Sequence, residues 1–278
     1  MSFHPTRHPE VNLVLQDLLP SVQAILGDHF IGMYLYGSLA SGGFDRDSDV
    51  DYVVVTDDVL SGDLFSALDA MHLRLAAMDV WCATQLEGIY IPQAALRTYD
   101  PIHALHLRID RGKGERLQRM QIEDVRLGRA WWASWVMLRH VLRERGVTLA
   151  GPAPRALIDP VPPDELRQAA LAELHNWEAP LLDNPVQMEN RGYQSYIVLT
   201  LCRILYTLQF GEIVSKQVAA RWAQGTLDPR WSPLIDRAWD GRKNPGSKAA
   251  SDDVNRTLEF IQCALERSQQ LWNLKKVK

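Results

Sequence analysis

Two aspartates, Asp49 and Asp51, stand two positions apart at the start of the segment Val50–Thr56, which is rich in valine. This composition predicts a strand, and residues i and i+2 of a strand project from the same face of a sheet. Two carboxylates held side by side repel each other, and Mg²⁺, which prefers oxygen ligands, relieves that repulsion. The pair therefore predicts a metal site that handles phosphate groups, as nucleotidyl transfer requires.

A glycine–serine pair, Gly37 and Ser38, precedes the aspartates and follows a second strand-like run, Phe30–Tyr36. Glycine allows a sharp turn and a close approach of the backbone to phosphate. Ser38 is expected to begin a short helix, where its N–H and hydroxyl can bind terminal phosphates. Ser48, directly before Asp49, offers a second hydroxyl. Either motif alone is common in surface turns, but the two together, each adjoining a strand, predict a nucleotide site.

Nucleotidyl transfer needs a third carboxylate, as a metal ligand or as the general base. Glu87 is the first choice, because it lies in the apolar extended segment Leu86–Ile91, where an unpaired acid would be costly. Asp79, at the start of the strand-like segment Val80–Thr84, is the alternative. Glu87 would also fit an exposed position on an edge strand without any catalytic role.

The elements around these motifs predict two domains. Apolar residues recur at helical spacing from Val11 to Leu26, and further helices are expected at Asp63–Ala77 and near residues 123–145. After residue 150 the strand-like runs disappear and helical periods dominate. We therefore expect an α+β N-terminal domain, with a mixed sheet flanked by helices, at residues 1–152, and an all-α C-terminal helical bundle at residues 153–278. The clearest features of the second domain are a helix at Tyr196–Phe210 ended by Gly211, a cap at Ser215 and a last helix from Ser251.

The two sets of motifs resemble a known family. Residues 36–38 (Tyr-Gly-Ser) and 48–51 (Ser-Asp-Val-Asp) resemble the DNA polymerase β-like nucleotidyltransferases. Residues 198–207, 211–216 and 219–223 are similar to the streptomycin/spectinomycin adenylyltransferases, which are aminoglycoside nucleotidyltransferases of the AadA type. The resemblance covers most of the chain.

This resemblance implies Mg²⁺-dependent transfer of AMP from ATP to a hydroxyl of an aminoglycoside or aminocyclitol antibiotic, with release of pyrophosphate. It implies that Asp49 and Asp51 hold the metal and that Glu87 deprotonates the acceptor hydroxyl. The residues implied to bind ATP are Gly37, Ser38, Ser48, Arg203 and Lys216. Those expected to bind the cationic acceptor, through acids and aromatic faces, are Glu189, Glu178, Tyr193 and Tyr196.

Two of the implied ATP ligands have support from their own surroundings. Arg203 lies in an otherwise apolar helix, where a guanidinium needs an anionic partner. Lys216 adjoins the cap of the next helix, at the unfavourable positive end of the helix dipole. A triphosphate would offset both charges. The alternative is an internal ion pair of Arg203 with Glu189 or Glu212.

The composition of the chain limits the classes of partner and the compartment that we expect. The 278-residue chain has a net charge of -4 and no basic stripe, which argues against nucleic acid as a partner. Its three cysteines are widely spaced and predict reduced thiols in a cytoplasmic protein, and no apolar run is long enough for a membrane span. We expect a monomer. Other readings are an adenylyltransferase for a metabolite or protein hydroxyl, as in antitoxin-like members of the superfamily, or a nucleotide-binding protein without catalysis.

Overall fold

The computed structural model describes residues 4–98, 105–112, 114–121, 130–183 and 185–276, with the backbone alone at 121, 130–133, 176–183, 185 and 274–276. The chain divides into two compact units. The first comprises Met1–Arg126 and Leu138–Pro160, and the second comprises Leu127–Met137 and Val161–Lys278. A domain boundary between residues 152 and 153 stays a prediction.

A mixed sheet forms the centre of the first unit. Within the described residues its strands are β1 (Phe30–Leu35), β2 (Val50–Thr56), β3 (Leu86–Pro92), β4 (Leu105–Ile109), β5 (Gln118–Gln121) and β6 (Val147–Ala150). They are ordered β5-β4-β3-β2-β1-β6. Strands β2 and β3 run parallel, and the other neighbouring pairs are antiparallel. The sheet and its flanking helices agree with the predicted α+β class.

Within its described residues the first unit contains the α-helices α1 (Pro9–Leu26), α2 (Gly37–Ser41), α3 (Gly62–Ala76), α4 (Gln93–Arg97) and α6 (Pro154–Leu157), and it shares α5 (Ala130–Arg145) with the second unit. Helix α5 contributes to both units, because the division falls between Met137 and Leu138. Apolar residues of α1, α3, β1 and β2 form one buried cluster, which explains the helical spacing of Val11, Val14, Leu15 and Leu18.

The prediction of a strand at Val80–Thr84 is wrong. Residues Trp81–Gln85 form a 3₁₀ helix, in which the N–H of Ala83 donates to the carbonyl of Val80. A short apolar run does not distinguish a strand from a helical turn, and this run buries Cys82 and Ala83 through the turn. The sequence also left β4, β5 and β6 without a prediction. Of the helix predicted near residues 123–145, the part before residue 130 lies outside the described residues.

The described second unit is helical, as predicted. It contains α7 (Pro163–Asp183), α8 (Arg191–Phe210), α9 (Lys216–Thr226), α10 (Ser232–Gly241) and α11 (Ser251–Lys276). Helix α8 packs against the other four, and its buried face holds the core of the unit. The predicted stop at Gly211, which has φ +71°, and the predicted cap at Ser215, whose hydroxyl accepts from the N–H of Val218 (3.3 Å), are confirmed. No described helix combines the length and apolarity that a membrane span requires.

Helix α3 carries a buried histidine, His72, into the core of the first unit. Its Nε2 lies 3.1 Å from the hydroxyl of Tyr52 on β2 and 2.7 Å from that of Tyr90 on β3. Burial lowers the pKa of His72 to about 4, although Asp69 acts in the opposite direction. The imidazole is therefore neutral at ordinary pH, and its Nε2 lies within hydrogen-bond distance of both tyrosine hydroxyls.

Acidification from about pH 7.5 to about pH 5 is expected to lower the free energy of unfolding by about 2 kcal/mol through His72 alone. The unfolded chain protonates His72 below the ordinary histidine pKa of 6.5, and the folded protein only below about 4. The stabilisation is thus complete above 6.5 and is lost as the pH falls toward 4. Urea unfolding at both pH values measures this loss. In His72→Gln the side chain does not titrate, so the free energy of unfolding should fall by about 2 kcal/mol less than in the native protein. An equal fall in both proteins would contradict the prediction.

Candidate active site

The turn after β1 brings Gly37 against the carboxylate of Asp51. The N–H of Tyr36 donates to the carbonyl of Asp51 (3.1 Å), so the antiparallel pairing of β1 and β2 continues to this point. Gly37 then adopts φ +63° and begins α2. A side-chain carbon at Gly37 would collide with the carboxylate of Asp51. Only glycine satisfies both the positive φ and the close approach, which is why this strand ends in a Gly-Ser turn.

Strand β3 brings Glu87 beside the two aspartates. Glu87 pairs in register with Asp51 across the parallel strands β2 and β3, so the two side chains share one face of the sheet. Asp49 lies directly before β2. Each of the three residues offers a carboxylate oxygen within 4.8 Å of the others. The alternative acid, Asp79, is exposed and is not part of this group in the described chain.

This donor set fits a divalent cation such as Mg²⁺. All three donors are carboxylate oxygens, which hard cations prefer, and they come from two adjacent strands that hold them in place. The side chains of Asp49 and Glu87 are only 31% and 25% exposed. Water therefore screens their mutual repulsion incompletely, and a cation at this position would relieve it. The metal-binding and catalytic roles of the three residues stay predictions.

Two arginines that the sequence analysis missed neutralise part of this charge. Arg108 on β4 donates from Nη2 to Glu87 (3.0 Å) and from Nε to Asp110 (2.6 Å). Arg111, in the connection that follows β4, donates from Nη1 to Asp49 (2.6 Å). A signal was present for Arg108, because it alternates with apolar residues in the run Leu105–Ile109, where a charge that becomes partly buried is costly without a partner. The partners follow only from the pairing of β3 with β4, which the sequence alone did not supply.

Burial and neighbouring charges raise two pKa values in the cluster. Burial raises the pKa of Glu87, while Arg108 opposes this effect and Asp49 adds to it. Burial, followed by the charges of Asp51 and Glu87, holds the pKa of Tyr36 well above its ordinary value. The carboxylates therefore lie in a setting of reduced solvation and excess negative charge, where shifted pKa values are typical of functional sites.

The two serines near the cluster differ in their contacts. The hydroxyl of Ser38 is buried and makes no hydrogen bond within the described residues. Ser48 is used within its own loop, where its hydroxyl donates to Asp45 Oδ1 (2.8 Å) and accepts from the N–H of Asp45 (3.1 Å). Ser38 is therefore the better candidate for a phosphate contact, and the contacts of Ser48 favour a role in shaping the loop before Asp49. Both phosphate contacts stay predictions.

The residues predicted to bind phosphate in the second unit have partners there. Burial raises the pKa of Glu173 on α7 to about 7, and the hydroxyl of Ser134 and the charge of Arg203 on α8 both lower it. Arg203 thus acts on an acid other than Glu189 or Glu212, the two considered from the sequence. Lys216, at the start of α9, has its Nζ 5.1 Å from the centre of the Tyr196 ring.

Three of the four residues predicted to bind the acceptor, Glu189, Tyr193 and Tyr196, lie around the start of α8. Glu189 forms an ion pair with Lys248 (3.1 Å). Tyr193 and Tyr196 lie with ring centres 6.4 Å apart, and Tyr196 is 44% exposed. Glu178 belongs to α7, but its side chain lies outside the described residues. The structure thus places the two tyrosines together, and their role in acceptor binding stays a prediction.

The chain is similar to known nucleotidyltransferases over most of its length. Residues 18–114 match the family model of the nucleotidyltransferase domain, and residues 156–267 match that of the aminoglycoside adenylyltransferase C-terminal domain. An aminoglycoside (3'') (9) adenylyltransferase of Escherichia coli is 26% identical over 259 residues, which span 91% of this chain and 94% of the relative. A spectinomycin 9-adenylyltransferase of Campylobacter jejuni is 28% identical over 232 residues, which span 81% of this chain and 82% of the relative.

A solved structure shares the fold. The crystal structure of a spectinomycin adenyltransferase from Enterococcus faecialis, with ATP and spectinomycin, matches with a TM-score of 0.67. The match covers 91% of this chain and 98% of that one, at 16% sequence identity.

Proposed function

Because this chain belongs to the aminoglycoside adenylyltransferase family, we propose that it transfers AMP from ATP to a hydroxyl of an aminoglycoside or aminocyclitol antibiotic, with release of pyrophosphate. The acceptor is of the streptomycin or spectinomycin type, and Mg²⁺ is the metal. The observation that carries this proposal is the group formed by Asp49, Asp51 and Glu87, with carboxylate oxygens within 4.8 Å of one another.

Each residue of the group has a role in the proposed reaction. Asp49 and Asp51 would hold Mg²⁺, which when bound neutralises charge on the triphosphate. Glu87 takes the proton of the acceptor hydroxyl, and burial supports this role because it raises the pKa of the carboxyl and makes the carboxylate a stronger base. The proposed phosphate contacts are the backbone at Gly37 and the hydroxyl of Ser38, which is buried without a hydrogen bond to any described residue. Arg203 and Lys216 are the proposed triphosphate ligands of the helical unit.

Mass spectrometry of the acceptor tests the reaction. Streptomycin and spectinomycin are incubated separately with the full-length protein, ATP and Mg²⁺, and pyrophosphate release is followed in parallel. We expect one of them to gain the mass of one AMP group, and expect no gain without Mg²⁺. If ATP binds but no compound in a broad aminoglycoside and aminocyclitol panel is modified, the antibiotic acceptor is wrong.

One contact favours a second candidate, an adenylyltransferase for a metabolite or protein hydroxyl. Glu189, the acid proposed to attract a cationic acceptor, is already paired with Lys248. An acceptor without a positive charge would leave this pair intact. AMP found on a co-purified molecule, together with no turnover of the antibiotics, would support this candidate. For either acceptor we propose a cytoplasmic monomer that does not act on nucleic acid.

Gly37→Ala is expected to reduce the rate of transfer by about a hundredfold, the loss typical of a catalytic group displaced by about 1 Å. The added methyl group would displace the carboxylate of Asp51, which belongs to the group with Asp49 and Glu87. Gly42→Ala is the matched control, because Gly42 also has positive φ (+74°) but has open space around its α-carbon. Both variants carry backbone strain, and Gly37→Ala adds the collision with Asp51, so we expect a loss of stability in both and a large loss of activity only in Gly37→Ala. Equal rates in the two variants would exclude this effect of Gly37.

A further inference from the structure

Arg111 forms an ion pair with Asp49, a carboxylate that the proposed function assigns to a metal ion. Its Nη1 lies 2.6 Å from Asp49 Oδ1, and its charge also lowers the pKa of Glu87. The side chain of Arg111 is 52% exposed. A monovalent guanidinium therefore lies at the position where the proposed reaction requires a divalent cation.

The backbone on either side of Arg111 is anchored: before it, Ile109 on β4 pairs with Gly88 on β3, and after it two backbone N–H groups are hydrogen-bonded. The N–H of Gly112 donates to the carbonyl of Thr84 (2.8 Å), and the N–H of Leu117 donates to Asp69 Oδ1 (2.9 Å). Asp69 is buried on α3 and also accepts from the guanidinium of Arg116. Departure of Arg111 from Asp49 therefore requires a movement of its side chain alone.

Arg108 differs from Arg111 in its position, in the number of its ion-pair partners and in its exposure. It lies within a strand, bridges Glu87 and Asp110, and is 27% exposed. Two carboxylates therefore hold Arg108 in one orientation. Arg111 has a single ion-pair partner among the described residues and more solvent around it. Of the two guanidiniums, Arg111 is the one that can exchange partners.

The charges favour such an exchange when a metal ion is bound. Asp49, Asp51, Glu87 and Asp110 carry two more negative charges than Arg108 and Arg111 neutralise. A half-exposed ion pair contributes little to stability, so a divalent cation would displace Arg111 from Asp49 at little cost. The released guanidinium, a planar fork of donors, would then be available to phosphate groups bound with the metal, whose oxygens such a fork can contact in pairs.

We propose that Arg111 is a further ligand of the nucleotide phosphates, which stays on Asp49 until a divalent cation takes that carboxylate. The proposal rests on the proposed function, because it needs a metal–phosphate complex at Asp49 and Asp51. It makes Arg111 a competitor of the metal alone and a partner of the metal–phosphate complex. The two effects have opposite signs and can be measured separately.

Mn²⁺ binding without nucleotide tests the first effect. The full-length protein is titrated with Mn²⁺ and free metal is followed by electron paramagnetic resonance. Arg111→Gln is expected to bind Mn²⁺ about two- to fivefold more tightly, the gain expected from removing a half-exposed ion pair. Arg74→Gln is the matched control, because Arg74 pairs with Asp17 (3.0 Å), is similarly exposed and lies outside the carboxylate group. Unchanged or weaker Mn²⁺ binding in Arg111→Gln would overturn the competition.

Binding of inorganic pyrophosphate with saturating Mn²⁺ tests the second effect. By calorimetry, Arg111→Gln is expected to bind pyrophosphate at least about tenfold more weakly, because a charge-assisted hydrogen bond to phosphate is lost. Arg111→Lys keeps the charge without the fork and should be intermediate. Equal pyrophosphate affinities in the native protein and Arg111→Gln would overturn the phosphate contact.

These outcomes separate the inference from the proposed function. If the native protein binds Mn²⁺ and Arg111→Gln matches Arg74→Gln in both titrations, the inference fails while the proposed function survives. If the native protein binds no Mn²⁺, both fail. Thermal unfolding of each variant shows whether it is folded, and if Arg111→Gln is not, Arg111→Lys decides, since weaker pyrophosphate binding by this variant supports the phosphate contact and unchanged binding overturns it.

Discussion

Asp51→Asn is expected to slow AMP transfer by about a thousandfold, since loss of a metal ligand removes several kcal/mol of transition-state stabilisation and each 1.36 kcal/mol is a factor of ten. Asp51 is the central acid of the group, because it pairs in register with Glu87 and its carboxylate packs against Gly37. Asparagine has nearly the same shape, so β2 and the turn at Gly37 should keep their geometry. The variant changes the charge at the site and little else.

Asp57→Asn is the matched control for this prediction. Asp57 follows directly after β2, pairs with His29 at the exposed end of the strand (2.8 Å) and lies outside the carboxylate group. We expect near-native transfer rates from Asp57→Asn and a greatly weakened affinity for Mn²⁺ only in Asp51→Asn. Pyrophosphate release and Mn²⁺ titration measure the two effects. A transfer rate within about tenfold of the native enzyme in Asp51→Asn would remove Asp51 from the metal site.

The carboxylate group could be predicted from the sequence because its signals are local. The spacing of Asp49 and Asp51 sets their common direction on any strand, and Gly37 marks a turn that a residue with a side chain could not make. Glu87 was harder, since Glu87 and Asp79 both adjoined runs predicted as strands, and the open question was which acid lies beside the aspartates. The register of Asp51 with Glu87 answers that question.

The arginines could not be predicted, because their partners are distant in the sequence. Arg108 reaches Glu87 through the antiparallel pairing of β3 and β4, and Arg111 reaches Asp49 through the connection after β4. Strand β4 does alternate apolar and polar residues, but the run Leu105–Ile109 is only five residues long, and the sequence analysis did not identify it. Because that strand was not predicted, the net charge around the three carboxylates could not be predicted either.

The helical unit shows the same division between local and distant information. The end of α8 at Gly211 and the cap of α9 at Ser215 depend on a few adjacent residues, and both were predicted. The acid near Arg203 was not, because Glu173 lies on α7 and approaches Arg203 only through the packing of α7 on α8. Capping is a local property, whereas ion pairing between helices requires the packed structure.

Glu87→Gln is expected to lower kcat by about 10²- to 10⁴-fold, the contribution typical of a general base. Glutamine has the shape of the acid and keeps an oxygen that can accept from Arg108, but it cannot take the proton of the acceptor hydroxyl. The KM for ATP should change little if Glu87 acts mainly in proton transfer. Steady-state kinetics with varied ATP and acceptor separate the two constants.

Asp79→Asn provides the comparison that decides between the two acids. Asp79 is exposed and outside the carboxylate group of the described chain, so native kcat and KM are expected for this variant. Because burial raises the pKa of Glu87, kcat of the native enzyme should also begin to fall, on acidification, at a higher pH than an exposed glutamate would produce. The base must be unprotonated, so kcat is high above that pKa and is lost below it. A large loss of kcat in Asp79→Asn, with native kcat in Glu87→Gln, would transfer the role of the base to Asp79.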